Sequence, residues 1–399
     1  MVYNLLNILR KNLSFFVLAL ASFCFFVLNL LLKDSLSAND YGLFSLFISY
    51  ISLLSSFGMF GFEQTLLRTS VIKSKLEIEK KIILPSLLSL FVSSIIGSLL
   101  MISNYEINMS FLLFFLLSIF VIITKLSYNL YRLLSSFVLS QITLNFWKII
   151  LTLIICYAYI MYYKYSLDFI FITIFLLFCI SIFSIVGLFK KVTFSDKKKF
   201  KALFKKSFLF FIALLTISFL GYGDRFFIES RFGLSMLGDY FFYLNIFLFP
   251  FSLFQTYIGF KEIVAFKKSF SISILNEKII TVLTNSIVFS GFLFFIFYMV
   301  EFFGLYDLNI FSNLDIILPL IILGNIKIIY SLLSSAIGAI SNDNMLLSIN
   351  IKSIITLLII CPIIYFYSNT LFLTIIFIII LWLLRCIIWY IQLSNKNQF

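Results

Sequence analysis

The chain has 399 residues, 62% of them hydrophobic and only 12% charged, with a net charge of +13 and no histidine. A soluble domain carries about 25% charged residues, so this composition excludes one and points to a polytopic membrane protein. Without histidine, imidazole catalysis, imidazole metal ligation and histidine pH sensing are excluded as well.

A helix needs about 20 apolar residues to cross the hydrocarbon core. Runs of that kind lie at 13–32, 41–62, 83–103, 111–131, 141–163, 168–189, 207–228, 239–261, 280–303, 314–340, 344–366 and 370–393. The expected fold is an all-α integral membrane protein of about twelve transmembrane helices in two six-helix lobes. Run 1 follows Arg10-Lys11 and contains Ala-Leu-Ala at 19–21, as a signal peptide does. Its apolar sequence continues well past that point, so it reads as a retained span. Cys24, Cys156, Cys179, Cys361 and Cys386 sit singly in apolar runs with no CxxC spacing, which reads as packing rather than a metal or disulfide framework.

Loop charges orient the spans. With the N-terminus in the cytoplasm, 21 Lys and Arg fall in cytoplasmic segments and three (Lys33, Lys164, Arg231) in external ones. Both termini are therefore expected inside. The most basic segment, KKVTFSDKKKFKALFKK (190–206), divides the chain into an N-terminal lobe (1–189) and a C-terminal lobe (207–399). Its charge reads as topogenic and as contact with anionic membrane lipids; no nucleic-acid module is visible. NDYGLFSLFISY (39–50) opens span 2 and MLGDYFFYLNIF (236–247) opens span 8, each after a Leu-Ser turn. Recurrence at the same ordinal place suggests parallel repeats, a transporter plan.

The stretch LSANDYGLFSLFISYISLLSSFGMFGFEQTLLR (36–68) resembles the opening of polysaccharide-export flippases, of the superfamily that includes multidrug-and-toxin extrusion transporters and the lipid II flippase. The second half is similar again, with Asp-Arg late in span 7 and Gly-Asp-Tyr (238–240) opening span 8. The resemblance implies a two-lobed transporter that moves polyprenyl-diphosphate-linked oligosaccharides from the inner to the outer leaflet of the bacterial cytoplasmic membrane, as in O-antigen and lipopolysaccharide synthesis. It implies coupling to an H+ or Na+ gradient, no other cofactor, and work beside a polysaccharide polymerase and chain-length machinery. Two features depart from the family: span 1 carries only Asn29 and the exit residue Lys33, and span 2 only the serines Ser45, Ser49, Ser52 and Ser56.

Six cations lie within spans: Lys125, Lys148, Arg225, Lys327, Lys352 and Arg385; Asp224 is the matching acid. Each costs about 2.5–3.5 kcal/mol on insertion scales, so such residues face a wet cavity, a partner or, by snorkelling, the interface. Arg385, flanked by Leu and Ile, reads as a snorkelling side chain. Lys148 shares a helical face with Gln141, Asn145 and Thr152, Lys125 with Asn129 and Arg132, Lys352 with Ser348 and Thr356, and Lys327 with Ser331, Ser334 and Gly338. A cationic surplus suits an anionic passenger such as a diphosphate and suits a cationic drug poorly. The expected substrate-binding residues are Arg225, Lys327, Lys148, Lys352, Lys125 and Asn145, with Asp224 and Glu63 as ion-coupling carboxylates. In GYGDRFFIESRFG (221–233), adjacent Asp224 and Arg225 point about 100° apart, and Gly221 and Gly223 make a helix break or a close helix approach easy there.

No GxxxxGK[ST], HExxH or GxSxG occurs, and no metal site is expected. The external carboxylates Asp34, Asp40, Glu106, Glu301, Asp307 and Asp315 sit in short connections. A membrane glycosyltransferase or polymerase needs a larger external region to hold its sugars, so the chain reads as a non-enzyme. An ion-coupled multidrug extruder of the same superfamily is the second transporter reading.

Overall fold

The computed structural model describes residues 2–72, 76–105, 109–189, 191–196 and 199–395. Of the loop charges read above, Lys73, Lys75, Glu106, Lys190, Lys197, Lys198 and Lys396 lie outside the described residues.

Helices dominate. α1 (Val2–Ser35), α2 (Ala38–Phe57), α3 (Phe62–Thr69), α4 (Lys80–Asn104), α5 (Phe111–Leu133), α6 (Phe137–Ile160) and α7 (Leu167–Phe189) come first. α8 (Phe200–Tyr243), α9 (Phe249–Lys268), α10 (Ile272–Phe302), α11 (Leu314–Ile340), α12 (Asp343–Tyr367) and α13 (Leu371–Asn395) follow. Among the described residues, eleven segments are long and apolar enough to cross a membrane. The chain is an all-α multi-pass membrane protein.

One of those segments, Phe200–Lys268, holds 69 residues. At ~1.5 Å per residue it is about 100 Å long, roughly three times the hydrocarbon core, so it cannot be one crossing. The chain turns back at Gly233, whose φ of 84° and ψ of 173° suit glycine almost alone. At Gly221 and Gly223 there is no break, and α8 stays helical through both. A glycine in mid-helix costs only about 1 kcal/mol and need not interrupt it. A π-helical turn, Leu244–Leu248, joins α8 to α9.

Span 2 is shorter than its apolar run. α2 ends at Phe57, and a tight turn through Phe60 (φ 44°) and Gly61 (φ 76°) leads into α3. That turn presses on α8: a Cβ on Gly61 would lie 2.2 Å from the Ser207 carbonyl oxygen and 2.5 Å from the Phe211 nitrogen. Ser207 Oγ donates to Thr65 Oγ1 at 2.8 Å, and the Phe60 and Phe211 rings meet at 5.0 Å.

Part of the basic segment forms a strand. β1 (Val71–Ile72) pairs antiparallel with β2 (Leu76–Glu79), and β2 pairs parallel with β3 (Val192–Ser195). Lys81 and Asp196 form an ion pair at 2.7 Å beside the sheet. The remaining stretch, from Phe200, is already the first turns of α8. The alternation Leu76-Glu77-Ile78-Glu79 is the period-2 signal of a half-buried strand.

The chain divides into two compact units, with the boundary between Tyr222 and Gly223, inside α8. In the first, α1 packs along α6, and α5 lies against α6 and α7. In the second, α11 packs on both α9 and α13 and is the most buried helix, with Leu320, Leu323, Leu332 and Ala336 fully enclosed. The α9–α11 seam is built from small residues. A Cβ on Gly324 would meet the Phe251 ring at 2.7 Å, Ser331 Oγ donates to the Gln255 carbonyl at 2.7 Å, and Ser335 Oγ to the Gly259 carbonyl at 3.3 Å. Small side chains let the two backbones approach closely without lipid between them.

Candidate functional site

The predicted residues gather into one group in each unit. In the first, Glu63 is 4% exposed on α3, outside the spans, and accepts a hydrogen bond from Gln64 Nε2 at 3.3 Å. Burial pushes its carboxyl up from 4.5 to about 7, while attraction to Lys125 partly holds it down. Lys125 is also close enough to Lys148 to repel it. Aromatic rings surround both lysines. Lys125 Nζ lies 4.9 Å from the Tyr128 ring centroid, and Lys148 Nζ lies 5.4 Å from Phe25 and 5.8 Å from Trp147. Each contact is a cation–π attraction of about 0.5–2 kcal/mol.

The polar stripe on α6 faces α1. Asn145 Nδ2 donates to the carbonyl and side-chain oxygens of Gln141 at 3.1 and 3.0 Å, and Thr152 Oγ1 donates to the Cys24 carbonyl at 2.9 Å. The stripe is thus largely a helix contact, with Lys148 at its apolar centre. The serines of α2 turn inward on their own helix: Ser49, Ser52 and Ser56 donate to the Ser45, Ile48 and Ser52 carbonyls at 2.7–2.8 Å.

The second group centres on Asp224 and Arg225. Asp224 Oδ1 accepts the Arg225 backbone N–H at 3.0 Å, and Oδ2 accepts the buried Tyr240 hydroxyl at 2.6 Å. Arg225 is 7% exposed, with its guanidinium 5.0 Å from the Phe241 ring. The turn at Gly233 makes these contacts, folding Tyr240 and Phe241 back beside residues one span earlier. Lys327, in mid-α11, is near enough to feel the charges of both Asp224 and Arg225, and its Nζ lies 5.0 Å from the Trp382 ring.

Ser331 and Gly338, on the face read as a stripe with Lys327, lie in the α9–α11 seam, where Gly338 packs against Ile263. One expectation differs from the structure. Arg385 does not snorkel: it is 4% exposed, between the Tyr330 and Trp389 rings at 5.3 and 5.2 Å. Lys352 is exposed on α12 and joins neither group. Tyr240 stood in the Gly-Asp-Tyr motif but without a role, and Phe241, Tyr330, Trp382 and Trp389 were not foreseen; in a chain with 20% aromatic residues, composition gives no reason to single them out.

Cavities lie elsewhere. One of about 520 Å³ opens between α9 and α10, lined by Phe254, Tyr257, Val282 and Phe289 and by the Glu262–Lys278 ion pair. Another, of about 620 Å³, is formed by Asp34, Lys164 and the tyrosines at 159, 162, 163 and 165. None of the predicted cations lines either. The carboxylates in connections have structural partners: Asp34 accepts from Tyr159 at 2.9 Å, Asp40 from Ser37 at 2.8 Å, and Glu301 from the Ile310 N–H at 2.9 Å. Among the described residues no group of three or more acidic or cysteine side chains could hold a metal ion. No family model, curated protein or solved structure matches the chain.

Proposed function

We propose that the chain is a flippase for polyprenyl-diphosphate-linked oligosaccharides, carrying repeat units to the outer leaflet of a bacterial inner membrane for surface polysaccharide synthesis. One observation carries the reading: the spans enclose Lys125, Lys148, Arg225, Lys327 and Arg385 among aromatic rings, with Asp224 as the acid placed with them. An interior of that sign attracts an anionic headgroup and repels a cationic drug. The chain acts as a transporter rather than an enzyme, by alternating access, with both termini in the cytoplasm. Arg225, Lys327, Lys148 and Lys125 attract the diphosphate; Asn145, bonded to Gln141, supports the α6 face that carries Lys148, and Lys352, exposed on α12, stands apart from the path. Glu63, which titrates near neutral pH, and Asp224 take up the driving H+ or Na+. The polymerase and chain-length machinery act on the product.

The test is a deletion strain complemented with wild type or Arg225→Ala at matched abundance. Lipid-linked repeat units should accumulate in the deletion and with Arg225→Ala, and surface polysaccharide should disappear. Drug resistance on overexpression without such build-up would instead identify an extruder. Single unpolymerised repeats at the surface would identify a lost polymerase.

A further inference from the structure

The turn from α6 to α7, external on the topology that the loop charges give, is unusual in composition. Phenylalanine outnumbers tyrosine 54 to 21 in the chain, yet YAYIMYYKY (157–165) holds five tyrosines and no phenylalanine. Two hydrogen bonds close the end of α6, from the Tyr163 N–H to the Ala158 carbonyl at 2.9 Å and from the Tyr162 N–H to the Tyr159 carbonyl at 3.1 Å. A helix cap of this kind places one residue in a left-handed backbone, and glycine or asparagine is the usual occupant. Here the occupant is Tyr162, with φ at 57°. A tyrosine strains that conformation, and at 94% exposure its side chain gains no packing to offset the strain. Strain kept for a fully exposed ring points to a task other than folding.

Tyr162 borders the hollow of about 620 Å³ that Asp34, Lys164 and the neighbouring tyrosines form, a volume within the ~300–1,000 Å³ of small-molecule sites. A second hollow of about 280 Å³ shares Ser35 and Tyr165 with it, and Asp40 and Asp168 line that one. The Tyr165 hydroxyl donates to Ser35 Oγ at 2.7 Å in the wall common to both. The Tyr159 hydroxyl donates to Asp34 Oδ2 at 2.9 Å, which steadies the carboxylate and leaves Oδ1 as an acceptor. Ring faces select an occupant with a flat apolar side. The tyrosine hydroxyls, the Lys164 ammonium and the Asp34 carboxylate select one that both donates and accepts hydrogen bonds. In a chain of net charge +13, the charged residues lining the two hollows are three acids and one lysine, a balance that disfavours phosphate and carboxylate. A pyranose sugar meets all three conditions, with its C–H face, its hydroxyls and its neutrality. A phospholipid headgroup would bring its phosphate against the acids.

We propose that these two hollows form a glycan seat, with sugar rings stacked on Tyr162 and Tyr163 and sugar hydroxyls bonded to Asp34 and Lys164. Two hollows with a common wall suit successive units of an oligosaccharide. The seat lies apart from the cations within the spans and uses none of them. Two sources offer this chemistry: the passenger's sugars once they have crossed, and polysaccharide already at the surface. The first rests on the transport reading; the seat itself does not, and the experiment separates the two.

The purified full-length chain, held in an amine-oxide detergent that carries no sugar, is titrated with maltotriose, mannotriose, chitotriose or phosphocholine. Binding is read by saturation-transfer NMR on the ligand protons. The expected result is saturable binding of at least one trisaccharide, about tenfold weaker in Tyr162→Gly and in Asp34→Asn. Tyr162→Gly should also unfold at a higher temperature than wild type, because glycine relieves the left-handed strain. Weaker binding by a more stable protein separates loss of the ring from loss of the fold. A lower unfolding temperature in Tyr162→Gly would overturn the strain argument behind the assignment. No saturable trisaccharide binding, or equal binding in both variants, would overturn the seat. Phosphocholine binding that depends on Tyr162, with no trisaccharide bound, would overturn the glycan in favour of a lipid interface. In the complemented deletion strain, build-up of lipid-linked sugar with Tyr162→Gly would support the passenger as the source. Normal export with that variant would keep the seat and overturn its role in transport. Failure of lipid-linked sugar to accumulate in the deletion strain itself would remove the flippase reading and leave the binding result standing.

Discussion

Glu63 offers a measurable link between burial and charge. Its carboxyl rises from 4.5 to about 7 because it is enclosed at the end of α3, with Lys125 pulling the other way. A folded-state value above the unfolded one means that protonation favours folding. The stabilisation is fully present below about pH 4.5 and is lost as pH rises through 7. The rise corresponds to roughly 3 kcal/mol. Glu63→Gln removes the titration and keeps a carbonyl oxygen facing Gln64. The variant should therefore be more stable than wild type by roughly 3 kcal/mol at pH 9 and by about 1 kcal/mol or less at pH 5. The assay is thermal unfolding in detergent at several pH values between 5 and 9, where the two curves should converge on acidification. Lys125→Met should widen the alkaline gap, since the attraction that holds the carboxyl down is then gone. A gap that does not change with pH, or a Gln variant less stable at pH 9, would refute the assignment of Glu63 as a buried carboxyl that titrates near neutrality.

Gly61→Ala combines a left-handed backbone, about 1–2 kcal/mol, with overlap on the α8 backbone, about 1–3 kcal/mol, so folded yield should fall sharply. Gly233→Ala has no atom within 4 Å of the new Cβ and should cost only backbone strain, about 1–3 kcal/mol; a loss well beyond that in unfolding experiments would contradict the open surroundings described. Tyr240→Phe removes a donor to the Asp224 carboxylate and should cost about 1.5–3 kcal/mol. A double-mutant cycle with Asp224→Asn should recover a coupling of about 1 kcal/mol or more, and additive losses would deny the contact its energetic role. Lys352→Gln, at an exposed position, should leave surface polysaccharide near the wild-type level, and a loss as deep as that of Arg225→Ala would place Lys352 on the substrate path.

The spans were legible because each is a long apolar run, and length alone identifies such runs. The end of span 2 was not, because Phe57 to Phe62 is as apolar as the helix before it. The turn that follows α2 packs at Gly61 against Ser207 and Phe211, about 150 residues away in sequence. The charges of the site were legible for the opposite reason, being rare in an apolar background. Their surroundings were hidden: Tyr240 reaches Asp224 only because Gly233 reverses the chain, and Arg385 is caged only because α11 turns Tyr330 toward α13. At Ser331 and Thr152 the sequence could not choose between helix contact and cavity, because a stripe that packs helix on helix has the same period as one that lines water.

The strand pairing of β3 with β2 anchors the start of α8 within the first unit. Residues 192–195 are stitched to the first unit, the opening turns of α8 are pressed against Gly61 and Thr65, and the boundary between the units comes only at Tyr222, in unbroken helix. Gly221, one residue before that boundary, has no neighbour within 4 Å of where a Cβ would stand, so this stretch of helix has room for a side chain there.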